Sequence, residues 1–184
     1  TNKKNINEKY QIELQKISNY FSTAKIDKKK YLSNNKLVNN GIITEENKTV
    51  GLAIHYFLEH IKYGSNEELK YAQNIVKGRY GNILGPEKIN KVIKRGERFV
   101  KNNDHYFSEK WKVYNEYKLE GKNENYRIDR LMVDEENKII FIVDYKTGLK
   151  KEKEQLEKYK KIINEKLNEN NMENYKINTK FEKI

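Results

Sequence analysis

Asp144 and Lys146 stand two positions apart at the end of an apolar run, Ile139 to Val143, in the stretch KIIFIVDYKTG. Alternation along a strand puts both side chains on one face, a carboxylate beside an ammonium. A second carboxylate joins them, because a hairpin turning at Glu135 and Glu136 sets Asp129 of YRIDRLMVD across from Asp144. Directly opposed like charges repel, so the pair calls for a cation between them, and Mg²⁺ or Mn²⁺ suits carboxylate oxygens. Lys146 could then orient a water, stabilise the hydroxide it becomes, or offset the charge of a phosphate. Taken alone, the spacing of Asp144 and Lys146 fits an ordinary solvated strand end better.

Three further groups bear on this site. His55, in GLAIHYFLEH, shares a helical face with Glu59 one turn on, although a lone helical histidine is more often packed or exposed than a ligand. The two histidines of HYFLEH are five apart, not the four of a zinc-protease helix, which excludes that class. Glu116 is a candidate fourth acid whose alternation with aromatic residues equally allows it to face solvent. Gln155 and Tyr159, four apart on a helix, can reach a phosphate or base, with core packing the stronger role for Tyr159. No glycine loop suited to cradling phosphates exists, since GNILGP lacks the lysine.

Positioning these residues takes helices ahead of strands. Ile6, Tyr10, Leu14, Ile17 and Phe21 recur at three and four over residues 6 to 22, as on an amphipathic helix, and residues 25 to 40 read as loop or a short weak helix. Helices are expected from Val50 to Tyr63, closed by Gly64, from Asn66 to Arg79, and from Pro86 to Lys101, with Pro86 in a first turn. Period-two alternation then marks a strand in WKVYNEYKL, followed by strands in YRIDRLMVD and, as a buried apolar run, KIIFIVDYK. A helix from about Glu152 to Leu167 carries Leu156, Tyr159, Ile163 and Leu167 on one stripe, and NYKINTKFEKI can add a strand. The order predicts an α/β or α+β domain with a small mixed sheet flanked by helices, residues 1–48 forming a helical segment ahead of a core at 49–184.

The chain has 184 residues, enough for one domain, with 35% charged residues and a formal net charge of +11. Such a balance draws a protein toward polyanions, of which nucleic acid is the commonest, though a solvated lysine-rich surface explains it equally well. The absence of cysteine excludes disulfides, thiolate metal sites and cysteine nucleophiles, and fits a cytoplasmic setting. No apolar run reaches membrane-spanning length, and the start TNKKNINEKY has neither a signal core nor a Met, which points to a piece of a longer polypeptide.

GLAIH on a helix, RIDRL on a strand, VDYKTG on the next strand and QLEKY on the following helix, in that order, resemble the PD-(D/E)xK nucleases. The resemblance is greatest to the RecB-like nuclease domain that ends AddA-type helicase–nucleases. It implies a restriction-endonuclease-like core and hydrolysis of DNA phosphodiesters with Mg²⁺ or Mn²⁺, as an exonuclease processing DNA ends in repair. By resemblance His55, Asp129, Asp144 and the backbone carbonyl of Tyr145 would be metal ligands. Lys146 would be the catalytic lysine that helps to activate water, and Gln155 and Tyr159 would organise the site and the DNA. The implied partners are DNA, a helicase domain in the same polypeptide and an AddB-like second subunit. Tyr126 stands where members often have Gly, and the iron–sulfur cysteines of some relatives are absent. The alternative is a nuclease-like module that binds DNA or a partner without cutting.

Overall fold

The computed structural model describes residues 45–122, 124–147, 153–172 and 174–184, all within the unit Ile43–Ile184. The expected helix at 6–22 and the loop at 25–40 lie outside the described residues. Helix α1 spans Glu45–Glu59 and α2 spans Asn66–Asn102, followed by a single 3₁₀ turn at Asp104–Tyr106. Strands β1 (Lys112–Glu120), β2 (Asn125–Asp134) and β3 (Ile139–Lys146) make an antiparallel meander. Helix α3 (Lys153–Glu169) then carries the chain to β4 (Lys176–Lys183), which pairs parallel with β3 along its whole length. The result is an α+β fold on a four-stranded mixed sheet in the order β1-β2-β3-β4, with the closing strand present.

Two local details differ from the sequence reading. Helix α1 ends at Glu59, so Gly64 is not its C-cap; with φ of 72° it turns the chain into Ser65. Ser65 caps α2 by a reciprocal box: its side chain accepts from the Glu68 N–H at 3.2 Å, and the Glu68 carboxylate accepts from the Ser65 N–H at 3.3 Å. The two helices expected on either side of residues 80–85 meet without a loop. Helical backbone continues to Gly85, whose φ of 74° and ψ of 165° kink it, and Pro86 starts the second arm.

Helix α1 buries Ala53, Ile54, Phe57 and Leu58, and α2 buries Val76, Leu84, Val92 and Phe99 among others. Together with Val113, Met132, Val143 and Tyr145 they form one apolar cluster. Burying each large side chain contributes about 1.5–3 kcal/mol. The two helices touch closely at Gly96, where an added methyl would sit 2.4 Å from the Phe57 ring. Helix α3 buries Leu156, Tyr159, Ile163 and Leu167 outside that cluster, as its stripe predicts.

One buried charge ties α1 to the sheet. Arg130, fully buried, donates from Nη1 to the Ile61 carbonyl and to Asn115 Oδ1, both at 3.0 Å. Its Nη2 donates to the carbonyls of Lys62 at 2.6 Å and Tyr106 at 2.7 Å, and the guanidinium lies 4.3 Å over the Phe107 ring. Asn115 on β1 donates in turn to the Glu59 and Ile61 carbonyls. The orphan carbonyls at the end of α1 are therefore satisfied by side chains of β1 and β2. This fixes the helix bearing His55 against the strand bearing Asp129. Among the described residues no helix is long and apolar enough to cross a membrane.

Candidate metal centre

The β2–β3 ladder runs from Asp134 opposite Ile139 to Arg130 opposite Val143, and Asp129 and Asp144 are the next residues along the two strands. Asp129 is buried, and both its oxygens are engaged. Oδ1 lies 3.3 Å from Nδ1 of His55, and Oδ2 accepts the Tyr145 N–H at 2.7 Å. Thus Tyr145, expected to lend its carbonyl, is seen to use its N–H to orient the first acid. Its buried ring stands edge-on to His55, with centroids 6.0 Å apart. Gly51, one turn before His55, lets α1 lie against the end of β3; a methyl there would sit 2.9 Å from Thr147 Oγ1.

Glu116 does not face solvent. Its side chain is only 11% exposed, and His55, Glu116 and Asp129 each bring a ligand atom within 4.8 Å of the others. The cause is local: Glu116 has φ of 53° in the middle of β1, a left-handed conformation that is costly for a non-glycine residue in a strand. Asn115 and Tyr117 pair with Arg130 and Ile128 on either side, which leaves Glu116 opposite Asp129. Arg127 answers the charge, its Nη1 2.6 Å from Glu116 Oε2.

Asp144 is outside that set of three. Its Oδ2 lies 2.6 Å from Lys146 Nζ, and Gln155 bridges the two, accepting from Lys146 Nζ at 3.1 Å and donating to Asp144 Oδ1 at 3.3 Å. Gln155 also contacts the Tyr159 hydroxyl, which donates to the Arg127 carbonyl at 3.1 Å. Tyr159 is 1% exposed, so it acts on the site from inside the core. The Tyr126 ring packs edge-on against Tyr159 at 5.7 Å and its hydroxyl meets Glu124. That side chain is committed to α3 and the β1–β2 turn.

The electrostatics are those of a site with too much negative charge. Burial, with the charges of Asp129 and Glu59, raises the Glu116 carboxyl to about 7 although Arg127 and His55 pull it down. Burial and the Asp129 charge likewise raise Asp144 against the opposing pull of Lys146 and His55. Burial works against a charged His55, but its contact with Asp129 and the charges of Asp129, Glu116 and Asp144 outweigh this and raise it. One imidazole and two carboxylates converging in a half-dry site fit a hard divalent cation. Glu116 Oε2 and Asp144 Oδ2 are both buried and accept no well-aligned hydrogen bond, despite the cations beside them. Such oxygens fit the same role.

The chain matches no family model, no curated protein and no solved structure. Of the residues singled out in the sequence, His55 and Asp129 meet in one cluster, while Asp144, Lys146, Gln155 and Tyr159 form an adjoining chain of contacts. Glu116 is the member whose place the sequence left open.

Proposed function

We propose that this domain is a divalent-cation-dependent deoxyribonuclease of the PD-(D/E)xK superfamily, RecB-like, acting as an exonuclease in a helicase–nuclease. The observation that carries this reading is the gathering of His55, Glu116 and Asp129 ligand atoms within 4.8 Å, beside the Asp144–Lys146 pair. His55, Glu116 and Asp129 would hold Mg²⁺ or Mn²⁺, with Asp144 joining once its contact with Lys146 is given up. A cation bound there supplies Lewis-acid polarisation of a phosphate and of water. The remaining work falls to the chain. Tyr145 N–H fixes the carboxylate of Asp129, and the end of α1, held by Arg130 and Asn115, fixes the His55 ring. Lys146, held by Gln155, would place an ammonium beside the reacting phosphate to position the attacking water, and the +11 charge would hold the DNA backbone.

The test is incubation with linear single- and double-stranded DNA in Mg²⁺ or Mn²⁺ and in chelator. Metal-dependent degradation is expected, falling by about 10²-fold or more in Lys146→Ala. The engagement of Asp144 by Lys146 and Gln155 favours a second reading, a module that binds DNA or a helicase partner without cutting. Binding without cleavage in every metal would establish that instead.

A further inference from the structure

Arg127 is the one guanidinium in contact with the three-residue cluster among the described residues, and it sits at a boundary. Its side chain is 40% exposed, whereas the Glu116 side chain it meets is 11% exposed, so the arginine lies between solvent and a buried carboxylate. The Nη1 to Oε2 separation is 2.6 Å, yet Oε2 accepts no well-aligned hydrogen bond. The pair is held by charge more than by directed bonding. The backbone at this point is anchored independently, since the Arg127 carbonyl accepts from the Tyr159 hydroxyl. The side chain can therefore move while its Cα stays.

Glu116 serves a guanidinium and a divalent cation less well together than singly. Two cations on one carboxylate repel each other, so a divalent ion taking Glu116 weakens its hold on Arg127. A guanidinium set aside at the rim of a metal site has an evident second use. Arginine's planar fork matches the oxygens of a phosphodiester, and its weak hydration lets it exchange one anion for another.

We propose that Arg127 is a positioning residue that changes partners. It neutralises Glu116 in the metal-free protein, is displaced when a divalent cation takes that carboxylate, and then binds a phosphate of the nucleic-acid backbone at the rim of the site. This inference rests on the metal-site reading above. It makes cation binding and phosphate binding mutually supportive through one side chain, with no other part of the fold moving.

The experiment measures two affinities in wild type, Arg127→Ala and Arg127→Lys, whose folding is checked by thermal melting. The first is for Mn²⁺ alone, by calorimetry or paramagnetic resonance. The second is for a short oligothymidylate, with Ca²⁺ as a non-hydrolysing cation and with chelator. Arg127→Ala is expected to bind Mn²⁺ roughly threefold to tenfold more tightly, because the competing cation is gone. It should bind the oligothymidylate about tenfold more weakly in Ca²⁺ and unchanged in chelator, with Arg127→Lys between. A static structural role would weaken oligonucleotide binding equally in both conditions. Equal weakening, or unchanged Mn²⁺ affinity where wild type binds Mn²⁺, overturns the exchange and leaves the metal site standing. No Mn²⁺ uptake by either wild type or Arg127→Ala overturns both.

Discussion

Asp129→Asn is expected to lose divalent-cation binding by about 100-fold or more while the domain stays folded, and to lose cleavage with it. Asp129 links His55 to the end of β3, since Oδ1 meets His55 and Oδ2 receives the Tyr145 N–H next to Asp144. The amide keeps the shape and one acceptor, so the Tyr145 N–H can remain paired and the strand register has no reason to slip. What it removes is negative charge from the cluster that would bind the cation. Calorimetric titration with Mn²⁺, alongside circular dichroism and melting, reads the two effects separately. Retained Mn²⁺ affinity in a folded Asp129→Asn protein would remove Asp129 from the ligand set and with it the proposed site.

In the absence of metal, the domain is expected to become more stable as the pH falls from about 8 toward 5. Glu116 has its carboxyl raised from 4.5 to about 7, and Asp144 and His55 are raised as well. All three hold protons more tightly folded than unfolded, so the folded state takes up more protons over this range and stability falls as pH rises. The carboxylates gain by becoming neutral, and His55 gains by becoming charged beside them. From Glu116 alone the change is of the order of 2–3 kcal/mol between pH 8 and 4.5, below which the unfolded glutamate also protonates and the advantage stops growing. Melting temperatures measured in chelator across this range, for wild type and Glu116→Gln, read it out. Glu116→Gln should flatten the slope and stabilise the metal-free protein near pH 8. Added Mn²⁺ should stabilise wild type most at pH 8, where the carboxylates are ionised. A melting temperature that rises with pH in chelator would contradict the electrostatic account.

Period-two alternation in WKVYNEYKL and the apolar run of KIIFIVDYK, with YRIDRLMVD between them, were sufficient to place three strands, because each faces a core on at least one side. The turn between the last two set the register that brings Asp129 and Asp144 to the end of the β2–β3 ladder, whose last pair is Arg130 with Val143. The β1–β2 turn carries the same kind of information, and applied there it sets Glu116 opposite Asp129. What could not be read is the left-handed backbone at Glu116, which buries a side chain that regular alternation would have left ambiguous. Lys146 beside Asp144 was legible from strand alternation, but the contact of Gln155 with Asp144 was hidden, since Gln155 reaches it from α3 only after residues 148–152, a stretch with no periodic signal. The continuous passage from Asn66 to Asn102 was obscured by Gly81 and Gly85, in the gap between the two expected helices, though only Gly85 leaves helical geometry. Arg130, visible only as part of RIDRL, had no role until its four oxygen acceptors were seen.

Those four acceptors bear on which parts of the protein can open independently. They belong to the segment just after α1, to β1 and to the 3₁₀ turn, so none of these can detach without leaving a buried guanidinium with lost partners, an opening that costs several kcal/mol. Partial unfolding at His55 is thereby coupled to opening of the sheet. The backbone amides of α1 around His55 and of β2 around Asp129 should exchange with solvent as one cooperative unit in native-state hydrogen exchange. Fraying of α1 alone, ahead of β2, would contradict this coupling. The candidate centre would then be lost or kept as a whole, with no half-assembled form for a cation to trap.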